Sequence, residues 1–180
     1  FVGAGFSAPT IPGWFGLLTE LATKVKNPDD KARIQAWLGP GAGGLTPRDY
    51  EGLGEELHAA LGSEFHGHLR QALAKTPQAE TQERLKLLRA IPFHGVLTTN
   101  FDNLLGTASI PGPTTFANVL TAETRDWWHH ELWDDADRDA HWAGKRLIAL
   151  HGQASSESGA VVFTTQSYRR LLHEKPAYRA

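Results

Sequence analysis

The sequence has 180 residues, of which 41% are hydrophobic and 21% are charged, and its formal net charge is −2. That length suits one domain, and this balance argues against a disordered chain. The charge offers no basic excess for a nucleic-acid backbone, and no apolar run reaches the roughly 18 residues of a membrane span. We therefore expect neither a nucleic-acid partner nor a membrane segment, and a cytoplasmic location is the default.

Cysteine and methionine are both absent. Without cysteine there can be no disulfide, no thiol nucleophile and no zinc site built on cysteines. The missing initiator methionine and the abrupt start at Phe1 predict a fragment of a longer protein, cut within its first strand and before its C-terminal end. We expect residues 1–180 to form one domain in which residues 13–90 are largely helical.

Hydrophobic spacing predicts helices in the first half of the chain. After a strand end at Phe1 and Val2 and a glycine-bearing turn, apolar residues recur three and four positions apart, which is typical of amphipathic helices. The predicted helices cover residues 14–25, 29–38, 46–74 and 79–90. Thr46 is expected to cap its helix with Pro47 in the first turn, and the glycine-rich residues 39–44 are expected to form a loop.

Three apolar runs predict strands in the second half. They cover residues 94–100, 146–150 and 160–163, and a helix is predicted at 165–172. Residues 101–105 are expected to start a helix or turn, and a long irregular stretch is expected after them. Strands separated by helices predict an α/β fold, a Rossmann-like doubly wound parallel sheet with helical insertions.

Polar or glycine-rich motifs follow three of these strands. They are GAGFS at residues 3–7, TTNFD at residues 98–102 and LHG at residues 150–152. In an open parallel sheet, ligands bind outside the carboxyl ends of the strands. The three motifs are therefore expected to face one crevice.

Each motif has a chemical and a structural interpretation. Glycines in the first let the backbone approach a phosphate, but a simple strand-to-helix turn also uses them. The Asn100 amide suits a sugar hydroxyl or a water, although Asn100 and Asp102 could each cap a helix. His151 suits a general base near neutral pH, and Gly152 permits close approach of a ligand. A lone histidine at a strand end is nevertheless more often structural.

The order of these motifs resembles the sirtuin-like superfamily. The resemblance includes Ile11-Pro12 and Trp14 after the first motif, and Tyr168 and the final Pro-Ala-Tyr are similar to its bacterial NAD-hydrolysing, antiphage-defence branch. It implies that NAD is the substrate and that no metal is needed. Asn100 would contact the nicotinamide ribose or orient the attacking water, and His151 would be the general base. The implied cofactor-binding residues are Gly3, Ala4, Gly5, Phe6, Ser7, Trp14, Thr99, Asp102 and Gly152.

Several departures from the deacylating sirtuins favour hydrolysis. Thr99 stands where those enzymes carry glutamine, Gly13-Trp14 replaces a phenylalanine-arginine pair, and the four-cysteine zinc module is absent. The stretch over residues 8–11 is one residue short, and the closing glycine-serine-aspartate strand is missing. The resemblance therefore implies an NAD+ glycohydrolase that releases nicotinamide and ADP-ribose.

In the NAD-hydrolysing branch this domain is an NAD-depleting defence effector with a sensor domain elsewhere in the protein, and a homo-oligomer is a further expectation. The alternatives are an NAD-dependent protein deacylase and a non-catalytic NAD or ADP-ribose sensor.

A metal site is a weaker alternative. Residues 126–142 are rich in tryptophan, histidine and aspartate, which could bind a divalent cation, but their spacing fits no tight template. A solvated insertion, a lid or a partner surface is the preferred interpretation. The His66-Gly67-His68 stretch has still less weight as a ligand set.

Overall fold

The computed structural model describes residues 1–39, 41–91, 93, 95–106, 118–121, 146–155 and 161–174. The chain divides into two compact units. We call residues 1–11 with 75–160 the sheet unit, and residues 12–74 with 161–180 the helical unit. The parts of the chain that the structure describes contain six α-helices and three strands.

The sheet unit is built on three short parallel strands, β1 (Gly95–Thr98), β2 (Asn118–Thr121) and β3 (Arg146–Ala149), in the order β1-β3-β2. Val2 adds an isolated parallel bridge to Thr98, and its N–H donates to the Leu97 carbonyl at 2.8 Å. Apolar side chains such as Leu147 and Ile148 are fully buried, which explains why these runs form strands. Helix α5 (Ala79–Ala90) completes the described elements of this unit.

The predicted mixed α/β fold with a parallel sheet is confirmed, but a full doubly wound sheet is not evident in the described residues. Strand β2 lies where an irregular stretch was expected. Its four residues carry only two apolar side chains, which is too short a run to mark a strand.

The strand predicted at residues 160–163 is wrong for Val162 and Phe163, and Val161 forms only an isolated bridge. The Phe163 N–H instead donates to the Ser167 hydroxyl at 2.9 Å, where the next helix starts. Ala160 and His94, at the starts of two predicted strands, lie outside the described residues.

The described part of the helical unit contains five α-helices: α1 (Trp14–Ala22), α2 (Pro28–Leu38), α3 (Pro47–Leu61), α4 (Phe65–Leu73) and α6 (Thr165–Glu174). Thr46 caps α3 as predicted, within a capping box formed with Asp49. Asn27 starts α2 by accepting hydrogen bonds from the N–H groups of Asp29 and Asp30. The first helix ends at Ala22, earlier than predicted.

The predicted helix over residues 46–74 is broken into two. Gly62 has φ of 52°, a left-handed conformation that favours glycine and ends α3. A 3-10 turn over Gly62–Glu64 then leads into α4. Hydrophobic spacing continues through the break because Leu61, Phe65 and Leu69 are all buried in the same unit.

Gly54, in the middle of α3, lies against the chain at Phe163. A Cβ added there would stand 3.0 Å from the Phe163 carbonyl oxygen and 3.1 Å from its ring. We expect Gly54→Ala to lower the free energy of unfolding by about 1–3 kcal/mol because the neighbouring backbone must shift.

Gly67→Ala in α4 is the matched control, since a Cβ there would meet no described atom within 4 Å. It is expected to raise stability by about 0.5–1 kcal/mol through helix propensity alone. Urea denaturation followed by circular dichroism measures both. A stabilising Gly54→Ala would show that the contact with Phe163 is loose.

None of the helices in the described part of the chain is both long and apolar enough to cross a membrane.

Candidate functional site

The three motifs follow paired positions at one edge of the sheet. Val2 pairs with Thr98, and Thr98 pairs with Ala149, so all three positions are level in the register. The chain then leaves the sheet in each case, and the Leu150 N–H donates to the Thr98 carbonyl at 2.8 Å. The register therefore brings GAGFS, TTNFD and LHG to the same carboxyl edge of the sheet, as predicted.

Ser7, Asn100 and Asp102 form a buried hydrogen-bond network. The Ser7 hydroxyl donates to Asp102 Oδ2 at 2.8 Å and accepts from Asn100 Nδ2 at 3.0 Å. The same Asn100 nitrogen donates to the Gly3 carbonyl at 3.2 Å. Their relative exposures are 1%, 5% and 5% for Ser7, Asn100 and Asp102, so solvent does not compete for these bonds. The network joins the first two motifs across more than ninety residues of sequence.

Two opposing effects act on the pKa of the Asp102 carboxyl. Burial raises its pKa, while hydrogen bonds from the Ser7 hydroxyl and the Leu104 N–H lower it. Burial is the larger influence, so its pKa lies above the ordinary value. Asp102 Oδ1 accepts from Leu104 N–H at 3.0 Å, which is the turn-capping role considered for it from sequence.

The amide oxygen of Asn100 is the exception in this network. It is fully buried, yet it has no hydrogen-bond partner among the described residues. A buried polar atom in that state costs about 1–3 kcal/mol unless something binds it. The Asn100 amide is therefore oriented by its nitrogen, and its oxygen is left without a hydrogen-bond partner among the described residues.

The backbone of the first motif is open on its outer side. A Cβ built on Gly3 or Gly5 would meet no described atom within 4 Å. Both glycines line a pocket of about 500 Å³ in the sheet unit, together with Phe6 and Arg84. Exposed backbone beside a guanidinium suits an anionic group such as a phosphate. Ala4 and Phe6 form the 3-10 turn that carries this backbone from Gly3 to Ser7.

His151 lies next to the residues that flank Asn100. Its imidazole is hydrogen-bonded to the backbone of Thr99, and its ring centroid is 6.2 Å from that of Phe101. Burial lowers the pKa of His151, and the hydrogen bond to Thr99 opposes that change in part. The imidazole is therefore neutral near pH 7, the form that a general base needs. Gly152, directly after it, has φ of 78°, so a side chain there would be strained.

Trp14 belongs to the helical unit. It opens α1, and its ring packs 5.1 Å from that of Phe163. It also lines a pocket of that unit.

Sequence reasoning missed the residues of α5 that hold the first motif in place. Arg84 donates to the Ala8 carbonyl at 2.5 Å and the Gly5 carbonyl at 3.3 Å, while also pairing with Glu80. The Glu80 and Arg84 spacing of four is typical of an exposed helix pair, so nothing in the sequence singled Arg84 out.

A second contact joins Thr10, in the segment after the first motif, to the start of α5. Thr10 Oγ1 donates to Thr81 Oγ1 at 2.8 Å and accepts from the Gln78 N–H at 2.8 Å. Thr81 is fully buried, and Thr10 is nearly so. A threonine followed by a proline-rich segment carries no signal for such a long-range pair.

Comparison with known protein families supports the expected relationship for the second half of the chain. Residues 94–180 match the family model of the SIR2-like domain. The SIR2-like match includes Thr99, Asn100, Asp102, His151 and Gly152, and it begins after the first motif. It supports an NAD-related function, NAD binding and an NAD-using enzyme. No match to this chain was found among curated proteins, and none among solved structures.

The described residues contain no group of three histidines, cysteines or acidic residues that could hold an ion. Residues 126–142, on which the metal alternative rested, lie outside the described residues, as does the Pro-Ala-Tyr tail.

Proposed function

We propose that the intact protein hydrolyses NAD+ at the bond between nicotinamide and ribose, releasing nicotinamide and ADP-ribose. The observation that carries this proposal is the buried Asn100 amide, whose oxygen lacks a partner among the described residues. Asn100 is anchored by Gly3 and Ser7 and flanked by the residues that His151 contacts. The SIR2-like match supports NAD as the molecule bound.

Hydrolysis of this bond requires that the ribose and the attacking water are positioned and that a base accepts a proton, and no step requires a metal. Nicotinamide leaves as a neutral molecule, so the glycosidic bond breaks through a cation-like ribose, as in glycoside hydrolysis. The Asn100 oxygen would accept a hydrogen bond from a ribose hydroxyl or from the attacking water. The neutral His151 imidazole would take the proton of that water as it attacks.

The remaining site residues are proposed to hold the cofactor. Gly3, Ala4 and Gly5 would run along the pyrophosphate, where the open backbone and the nearby Arg84 suit negative charge. The Ser7 hydrogen is already donated to Asp102, so Ser7 would act chiefly by holding Asn100. Phe6, Trp14, Thr99, Asp102 and Gly152 complete the proposed set.

Nicotinamide release tests the proposal directly. The full-length protein is incubated with NAD+, with and without an acetylated peptide, and the products are separated by liquid chromatography. We expect nicotinamide and ADP-ribose without the peptide. Turnover that requires the peptide and deacetylates it would replace hydrolysis by deacylation. If calorimetry shows that NAD+ binds and no turnover is found, the protein would instead be a non-catalytic sensor.

We further propose that the protein is an NAD-depleting effector of antiphage defence that is controlled by a sensor domain elsewhere in the protein. This part rests on the resemblance of its motifs to that branch of the superfamily. Cellular NAD measured after phage infection, with and without the intact protein, tests it. NAD that stays constant in both cultures would contradict a depleting role.

A further inference from the structure

The helical unit contains a second pocket, of about 630 Å³, that the proposed NAD chemistry does not explain. It opens where the first turns of α1, α3 and α6 meet. Four of the eight described residues that line it are aromatic, and one is acidic. The residues that decide its chemistry are Trp14, Phe15, Tyr50, Glu51 and Tyr168.

The charge on the described lining of this pocket is negative. Glu51 is the single charged residue among the described residues that line it. Burial, and to a smaller extent the nearby Glu51 carboxylate, raises the pKa of Tyr168 to about 12. The phenol therefore stays neutral at ordinary pH, and the Glu51 carboxylate is close enough to act on it.

Aromatic rings with one carboxylate form a surface that favours organic cations. The faces of tryptophan and tyrosine rings attract a positive charge, and apolar groups around that charge bury against the same rings. The N-terminal turns of α1, α3 and α6 oppose a cation, since each helix dipole is equivalent to about half a positive charge at that end. Two carboxylates act against these dipoles, Asp49 in the capping box of α3 and Glu51 in the pocket lining, so the balance still favours a cation.

We infer that this pocket binds a small organic cation, either a quaternary ammonium group or a pyridinium ring. Trp14, Tyr50 and Tyr168 would enclose the apolar body of the ligand, and Glu51 would face its charge. The inference does not rest on the proposed NAD hydrolysis: Trp14 is shared with the proposed cofactor set, but Glu51, Tyr50 and Tyr168 take no part in it.

Nuclear magnetic resonance of the ¹⁵N-labelled full chain tests the inference without NAD. The indole signal of Trp14 is assigned with Trp14→Phe, and the protein is titrated with choline and with 1-methylnicotinamide. The neutral analogue of choline, 3,3-dimethylbutan-1-ol, has the same shape without the charge. We expect a cation to shift the Trp14 signal and the neutral analogue to bind about tenfold more weakly.

Glu51→Gln keeps the shape of the side chain and removes its charge, so cation binding should weaken about tenfold. Glu55→Gln, one turn further along α3 on the exposed surface and outside the pocket lining, is the matched control and should leave binding unchanged. A shift with choline alone assigns an ammonium ligand, and one with 1-methylnicotinamide alone assigns a pyridinium. The inference is overturned if the neutral analogue binds as well as the cations, if Glu51→Gln and Glu55→Gln behave alike, or if neither cation shifts Trp14.

Discussion

Replacing His151 by alanine is expected to lower the rate of nicotinamide release from NAD+ by a factor of about 10²–10⁴. Burial lowers the pKa of this imidazole, so it is present as the neutral base. Its hydrogen bond to the Thr99 backbone fixes the ring next to Asn100, where the proposed water would be activated. The variant should still bind NAD+, because the proposed cofactor contacts of the first motif are untouched.

The matched control for this prediction is His173→Ala. His173 is an exposed histidine near the end of α6, and it takes no part in the proposed site. Single-turnover release by both variants and by the unchanged protein separates the loss of a base from a general effect of removing an imidazole. Release by His151→Ala within threefold of the unchanged protein would remove His151 from the mechanism.

The direction of the pKa change also sets the pH dependence of the reaction. A general base works only when it is deprotonated, and the ordinary pKa of histidine is 6.5. Because burial lowers the pKa of His151, the acidic limb of kcat/KM should have its midpoint below pH 6.5. This acidic limb should be missing from the residual activity of His151→Ala. A limb centred at or above pH 6.5 would mean that another group titrates.

Ser7→Ala is expected to lower the free energy of unfolding by about 1–3 kcal/mol. The Ser7 hydroxyl is the donor to Asp102 and the acceptor from Asn100, and all three side chains are buried. Removing it leaves the Asp102 carboxylate with one hydrogen bond fewer and frees the Asn100 amide to rotate. We therefore expect nicotinamide release to fall as well, although no proposed step uses Ser7 on the substrate.

Ser63→Ala provides the comparison, since Ser63 is exposed in the turn before α4 and should change stability by less than about 0.5 kcal/mol. A double-mutant cycle of Ser7→Ala with Asp102→Asn in urea denaturation measures the coupling of the pair. We expect a coupling of about 0.5–3 kcal/mol. Additive losses would show that the hydrogen bond between Ser7 and Asp102 contributes nothing to folding.

The position of the candidate site could be predicted from sequence because it follows from local patterns. Short apolar runs that end in polar residues indicate strand ends, and parallel strands bring their carboxyl ends to one edge. The level pairing of Val2, Thr98 and Ala149 confirms that expectation. The Thr46 cap was predictable for the same reason, since a capping box lies within four consecutive residues.

The partners within the site could not be predicted, because they depend on contacts between distant parts of the chain. Ser7 was expected to bind the cofactor, and only the fold reveals that its hydroxyl is donated to Asp102, ninety-five positions away. Arg84 has an ordinary helical partner in Glu80, which hides its bonds to the Gly5 and Ala8 carbonyls. Local spacing carries no information about such pairs.

Helix boundaries were missed where one residue overrides a continuing pattern. The apolar stripe of α3 runs into α4 without a gap in spacing, and only the backbone of Gly62 separates them. Asn27 lies between the first two predicted helices, and its side chain accepts two N–H groups at the start of the second one. An asparagine followed by proline suits both the end of one helix and the start of the next, and the competing hydrogen bonds decide between them.

The hydrogen bond from the Gln78 N–H to Thr10 fastens together the two points where the chain leaves and re-enters the sheet unit. Everything between them is, for the sheet unit, a closed loop whose ends meet. The entropy of closing a flexible loop rises by only about 0.6 kcal/mol for each doubling of its length. Relatives could therefore lengthen, shorten or exchange the intervening helices at little cost to the network of Ser7, Asn100 and Asp102. That arrangement would allow one candidate site at the sheet edge to be combined with helical segments of very different size.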